Sequence, residues 1–383
     1  IGVAGGNRLD PEGLEKIVRN AEAIARLQKE DPHFVSLPHP EKLPVMETDY
    51  FLDTVEERSR KVATIISAAK SKKIVASGSF QSGLSELAIA NSHGIWAYHI
   101  SSSADLSTIL LGETSTGFAG QVGKTASEID AENVVKVALD KVELSKNPRD
   151  VAPGEWEILL EPQAVNELIT FFSWLGPNAR IYHEQASFLS EKLGKKVANE
   201  MVTIYDDPLN KDAFPIPFDF EGYPKQKTTI IEKGILKSLV YDSYHAAQFN
   251  AKNTGHALPA PNTSGPIPLH LAIAPGTTSK PNMVKKIKKG LLITRLWYIR
   301  VLNPRSLSLT GMTRDGLFSI EDGEITGGVK NMRFNQSIPE MLNNIVTIEN
   351  KLTPLSSFES EIGINRMPSL HVKDWTFSSG TLF

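Results

Sequence analysis

A histidine followed directly by a glutamate, His183-Glu184, is the part of this sequence closest to a metal-dependent hydrolase motif. In zinc peptidases of the zincin type, two histidines on one helix face hold the metal, and the glutamate between them is the general base. The residues four and five positions after His183 are Ser187 and Phe188, and neither side chain is a zinc ligand. Spacing alone therefore favours an ordinary polar pair on a partly exposed helix.

The rest of the sequence adds no other catalytic motif. None of the nine histidines lies three or four residues from another, which is the spacing that places two ligands on one helix face. The glycine-rich and serine-rich segments match neither a nucleophile elbow nor a phosphate-binding loop. Because the chain has no cysteine, a disulfide, a catalytic thiol and cysteine-ligated zinc or iron–sulfur clusters are excluded within it.

Net charge and the length of apolar runs limit the classes of partner that this chain could bind. The 383 residues include 41 Lys+Arg and 44 Asp+Glu, for a net charge of −3, whereas proteins that coat nucleic acid are usually basic. No apolar run reaches the roughly 18–20 residues that span a bilayer. We therefore expect neither a nucleic-acid partner nor a membrane partner. The one basic run, 285–289, lies on a predicted helix at 281–291 and indicates a solvated face, with a surface for an anionic partner as the alternative.

The elements that must position these residues divide into two halves. Asp10-Pro11 is a typical start for a helix, and apolar residues recur at helical spacing after it. Asn91-Ser92-His93-Gly94 is a plausible hairpin turn. The pattern of this half predicts three helices and several strands. The helices are 11–25, 52–70 and 130–144, and the strands are 73–79, 84–90, 95–101 and further strands within 106–123.

The clearest punctuation in the chain is Asp150-Val151-Ala152-Pro153-Gly154. We place the domain boundary there, with an N-terminal α/β domain at 1–150 and a C-terminal β-rich domain at 151–383. The second domain begins with a predicted strand, a helix at 163–175 and a helix at 182–193 that Gly194 terminates. Strands dominate from residue 201 onward. The fold class is therefore α+β, with a large antiparallel sheet system in the second domain.

Several strings occur in the same order, and with similar spacing, in one protein family. They are Ala90-Asn91-Ser92-His93-Gly94, Val151-Ala152-Pro153-Gly154-Glu155, Ser187-Phe188-Leu189, Lys192-Leu193-Gly194, Asp219-Phe220-Glu221-Gly222, Ile231-Glu232-Lys233-Gly234, Asn253-Thr254-Gly255-His256-Ala257 and Thr313-Arg314-Asp315-Gly316. By these strings the chain resembles the TldD/PmbA family, once called modulators of DNA gyrase. They span residues 91–379, about three quarters of the chain.

The resemblance implies an N-terminal α/β domain followed by a C-terminal β-barrel-like domain that lines a channel. It also implies a partnership between two types of subunit. The TldD type binds zinc through a His-Glu-x-x-x-His helix and a late cysteine, whereas the PmbA type, also called TldE, lacks these ligands. Together they form a zinc peptidase that acts on unfolded or leader-bearing peptides.

Carried onto this sequence, the resemblance places His183 near the first zinc histidine and Glu184 near the general base. Phe188 stands where the second histidine would be, and the late cysteine has no counterpart. Catalytic zinc needs three protein ligands and a water. The resemblance therefore implies no metal in this chain, His183 and Glu184 as vestiges of a site, and zinc in a TldD-type partner.

Three interpretations follow. The favoured one is a non-catalytic, PmbA-type subunit that holds extended peptide, in a cytoplasmic heterodimer with a TldD-like subunit. The second is a self-sufficient metal-dependent hydrolase, such as a homodimer that completes a site from His183, Glu184 and a further histidine, His256 or His371. The third is a peptide-binding scaffold without proteolytic activity. Family members carry residues before the position of Ile1, so we also expect a missing leading segment.

Overall fold

A computed structural model describes residues 1–34, 36–46, 50–356 and 363–381. Eight α-helices, two 3₁₀ helices (Ala126–Glu128 and Lys211–Ala213) and eighteen strands lie in this part of the chain. The helices are α1 (Pro11–Leu27), α2 (Val55–Ser71), α3 (Ala131–Leu144), α4 (Pro162–Leu175), α5 (Ala179–His183), α6 (Ser243–Gln248), α7 (Lys280–Val284) and α8 (Ile338–Asn343). The strands are β1 (Val75–Ala90), β2 (Trp96–Leu111), β3 (Thr116–Gly123), β4 (Gly154–Leu160), β5 (Ile204–Asp206), β6 (Thr228–Glu232), β7 (Ile235–Leu236), β8 (Leu271–Ile273), β9 (Lys289–Ile293), β10 (Leu296–Asn303), β11 (Ser308–Thr313), β12 (Leu317–Glu321), β13 (Glu324–Gly328), β14 (Met332–Ser337), β15 (Ile345–Ile348), β16 (Thr353–Leu355), β17 (Asn365–Met367) and β18 (Leu370–Gly380).

Each of the first three helices begins directly after a capping side chain. The side chain of Asp10 accepts a hydrogen bond from the Gly13 amide at the start of α1. Thr54 and Asp130 cap α2 and α3 in the same way. Each cap satisfies an amide that has no partner inside its helix. These three helix predictions, and the prediction of α4, are confirmed to within a few residues at each end.

The N-terminal sheet is antiparallel, in the order β1-β2-β3. The prediction of a break between residues 79 and 84 is wrong, because β1 pairs with β2 continuously from Val75–Leu111 to Ala90–Trp96. Small residues such as Gly83 interrupt the apolar pattern without interrupting the ladder. The turn at Asn91 is confirmed, since its side chain accepts hydrogen bonds from the amides of His93 and Ile95.

The C-terminal part contains a nine-stranded and a six-stranded sheet. The longer one runs β10-β11-β14-β18-β4-β9-β12-β13, with β15 paired to β18, and the shorter one runs β16-β17-β8-β5-β6-β7. Helix α4 packs against strands of both sheets, and its Leu168 and Phe172 are fully buried in the largest core cluster. The α+β class is confirmed. Both sheets are open in the part of the chain that the structure describes, so the expected barrel closure is not seen there.

Two predicted helices in this half are wrong. Instead of a helix at 182–193, α5 ends at His183, and the chain then turns at Gln185 and Glu191, whose φ angles are 58° and 61°. Instead of a helix at 281–291, α7 ends at Val284, and β9 pairs with β4 and β12. In both places burial of an apolar segment in the core overrides the local helical pattern.

Ion pairs and ring contacts join the two halves. The Glu161 carboxylate receives Lys141 of α3 at 3.0 Å and Lys280 at 2.7 Å. Burial by itself would raise the pKa of Glu161, but the two ammonium groups outweigh it and lower the pKa to about 2. Arg295 lies 4.5 Å above the Phe118 ring. No helix within the described ranges is long and apolar enough to cross a membrane. The boundary at residue 150 stays a prediction.

Candidate functional site

His183 is the last residue of α5, whose first turn Asn178 caps by accepting from the Ile181 amide. Its imidazole stacks on Phe249, with ring centroids 3.7 Å apart and planes 15° apart. Its Nε2 lies 3.2 Å from Tyr241 Oη. Partial burial and then the nearby His245 lower the pKa of His183, because both disfavour the imidazolium. The ring is thus held by an aromatic face and a phenol.

Glu184 does not act as a partner of His183. Arg180 donates from Nε to Glu184 Oε1 at 2.8 Å, one helical turn away. The same guanidinium donates to the Thr263 carbonyl oxygen. The carboxylate is therefore exposed and bonded to a guanidinium rather than to His183.

The residues around His183 do not fit a zinc ion. Ser187 donates to the Gly176 carbonyl, and Phe188 is buried with its ring 6.1 Å from Phe172. The two further histidines considered as ligands are engaged elsewhere: His256 with Asp206 at 3.2 Å, and His371 with Glu157 at 2.7 Å. Throughout the described ranges, no three His, Asp or Glu side chains form a group that could hold a metal.

The fold instead gathers a second group of ionisable side chains beside His183. Asp242 caps α6, and its Oδ1 lies 2.8 Å from the backbone nitrogen of His245 and 2.7 Å from His245 Nδ1. The backbone amide of Ser243, the residue after Asp242, donates to Glu221 Oε2 at 3.1 Å. Sequence reasoning missed this group, and the Asp-Ser-x-His pattern at 242–245 marks only the helix start.

Burial strongly shifts the pKa of the Glu221 carboxyl group. Its desolvation raises the pKa to about 7; the hydrogen bond from Ser243 lowers it, and the charges of Asp219 and Asp242 add to the increase. Gly222, next along, lies under the tip of the β1–β2 hairpin, where an added Cβ would sit 2.6 Å from the Ile95 side chain. The tip of this hairpin therefore packs against the segment that carries Glu221.

Below this group lies a fully buried polar cluster. His256 links Thr254 Oγ1, 2.8 Å from its Nδ1, to Asp206 Oδ2, 3.2 Å from its Nε2. Desolvation opposes the charge on Asp206, yet its pKa is lowered, first by the hydrogen bond with His256 and then by positive charge nearby. Burial followed by the charge of Lys225 lowers the pKa of His270 to about 3. Burial also lowers the pKa of Lys225.

A pocket of about 390 Å³ opens above this cluster. Its wall includes Tyr241, the phenol that contacts His183, and Thr254, the first member of the buried chain. Lys227 and Lys252 stand at its edge, and no Asp or Glu is among its lining residues. The site therefore combines an aromatic-held histidine with an acid-free, partly basic recess.

Comparison with known protein families agrees with this fold. Residues 153–379 match the family model for the C-terminal domain of PmbA/TldA metallopeptidases, and residues 39–146 match the central domain of the same proteins. The chain belongs to the PmbA/TldD metallopeptidase family. The resemblance identified from the sequence strings is therefore confirmed.

Individual members of the PmbA/TldD family are distant in sequence and close in fold. Metalloprotease PmbA of Escherichia coli O157:H7 is 25% identical over 375 residues, which cover 94% of this chain and 80% of that protein. TldE from Thermococcus kodakarensis has a TM-score of 0.85 at 23% identity, covering 98% of this chain and 87% of that one. A Thermotoga maritima protein described as a modulator of DNA gyrase has a TM-score of 0.83 at 20% identity, over 95% and 83% of the two chains.

Proposed function

We propose that this protein is the non-catalytic, PmbA/TldE-like subunit of a TldD/TldE-type zinc metallopeptidase that processes unfolded or leader-bearing peptides. The observation that carries the proposal is the end of α5 at His183. Beyond it the chain turns, and Phe188 enters the core where a second zinc histidine would be needed. A TldD-like partner in a heterodimer would supply the zinc and the general base. A homodimer is the alternative assembly, and the proposed location is the cytoplasm.

The role of this subunit would be to hold an extended peptide substrate. Its open sheets support that role, since an extended chain adds to a sheet edge through main-chain hydrogen bonds with little regard to sequence. Strand β1 is sixteen residues long and ends its sheet, with pairing to β2 alone among the residues described. Such an edge would bind many unfolded peptides.

The test is to purify this chain alone and together with a TldD-type protein, and to measure zinc per chain and peptidase activity. The proposal expects zinc well below one per chain for the isolated protein, and activity only for the complex. In the complex, His183→Ala should leave the zinc content unchanged. Zinc near one per chain that His183→Ala abolishes would instead establish a self-sufficient hydrolase. Failure to assemble, with no activity on mixing, would leave the scaffold interpretation.

A further inference from the structure

The pocket beside His183 has a charge pattern that peptide holding in general does not require. Asp207 is the carboxylate closest to its basic edge, 3.5 Å from Lys227. The same carboxylate is 3.2 Å from Arg366, so one negative charge faces two positive ones. Lys252 is exposed and forms no ion pair within the described ranges. The recess therefore carries excess positive charge.

The chain segment that carries Lys252 and Thr254 contains no carboxylate. Between Asp242 and Asp315 the chain contains ten lysines and arginines and no Asp or Glu, although the whole chain has a net charge of −3. Lys252 and Thr254 belong to this acid-free stretch. This stretch therefore contributes no carboxylate near the recess. An anion that enters the recess meets little electrostatic repulsion from this stretch.

The floor of the pocket is rigid. Thr254 Oγ1 accepts from the Tyr241 amide at 2.7 Å and lies 3.0 Å from the Tyr241 carbonyl oxygen. On its other side it contacts His256, which is anchored to Asp206. Two separate chain segments are thereby fixed to each other and to the core. A wall fixed in this way needs little ordering when a ligand binds, which favours affinity.

We propose that this recess is a subsite for an oxyanion, either the C-terminal carboxylate of a bound peptide or a free phosphate. Lys227 and Lys252 supply the charge, and Gln226 and Thr229, which also line the recess, carry further donor groups. Tyr241 lines the recess and also contacts His183, so a peptide lying beside His183 would end in it. The carboxylate form of the proposal rests on the peptide-holding function proposed above.

The test compares a dansylated tetra-alanine with a free C-terminus and the same peptide as its amide, by fluorescence titration of the whole chain. We expect the free acid to bind about tenfold more tightly than the amide, since charge-assisted bonds are lost with the carboxylate. The double variant Lys227→Gln/Lys252→Gln should abolish that preference. A charge-matched control, Lys195→Gln/Lys237→Gln, changes exposed lysines outside the pocket and should retain it.

The second experiment measures binding of inorganic phosphate to the same proteins. If acid and amide bind equally but phosphate binding is lost in the Lys227→Gln/Lys252→Gln variant, the ligand is phosphate. If neither the preference for free acid nor phosphate binding depends on these two lysines, the oxyanion subsite is refuted. That result would refute the subsite alone, because the peptidase assay with a TldD-type partner tests the proposed function separately.

Discussion

Replacement of Glu221 by glutamine should stabilise this protein in a pH-dependent way. Glutamine keeps the shape and the oxygen that accepts from the Ser243 amide at 3.1 Å, but it removes the ionisable proton. The carboxyl group of Glu221 has its pKa raised from 4.5 to about 7, chiefly by burial and further by Asp219 and Asp242. The folded protein therefore keeps a proton that the unfolded chain releases.

The sign and size of the effect follow from this difference. Below pH 4.5 the group is protonated in both states, so the substitution should change stability little. Between pH 4.5 and 7 the wild-type protein loses stability, because only the unfolded chain ionises freely. Above pH 7 the loss is constant, at about 3 kcal/mol for a pKa shift of this size. Glu221→Gln should recover it.

The assay is thermal unfolding of the wild-type protein and Glu221→Gln across this pH range. A gain of about 3 kcal/mol corresponds to roughly 5–10 °C in Tm for a unit the size of the C-terminal domain. Glu200→Gln serves as the control, because it makes the same chemical change at an exposed position. A Tm difference between Glu221→Gln and wild type that is equal at pH 4.5 and above pH 7 would refute the reasoning.

Two further substitutions test the contact between the halves and the proposal that this chain holds no zinc. Glu161→Gln should destabilise the protein by about 3 kcal/mol near neutral pH, because it leaves Lys141 and Lys280 without their carboxylate. Urea unfolding should show that this loss of stability shrinks as the pH falls from 4.5 toward 2. A loss that stays constant with pH would argue against the ion pairs. Phe188→His places a histidine at the sequence position of the second zinc ligand. The variant should bind no zinc by elemental analysis and should have a lower Tm, because the ring at this position is buried against Phe172. Zinc bound near one per chain would show that α5 can extend.

Local signals in the sequence determined much of the framework. Asp10, Thr54 and Asp130 mark the starts of three helices, because a capping side chain satisfies amides only a few residues away. The ordered strings from Asn91 onward indicated the family. The residue types at 183–188 already argued against zinc, since ligand chemistry depends on which side chains are present.

Tertiary contacts decided the rest. Burial of Phe188 ends α5 early, although the residues after His183 have a helical pattern. The raised pKa of Glu221 depends first on its burial in the folded chain and then on the charges of Asp219 and Asp242. The basic recess joins segments near Lys227 and Lys252 that no local pattern connects. Burial and electrostatic coupling act through space, so only the folded chain specifies them.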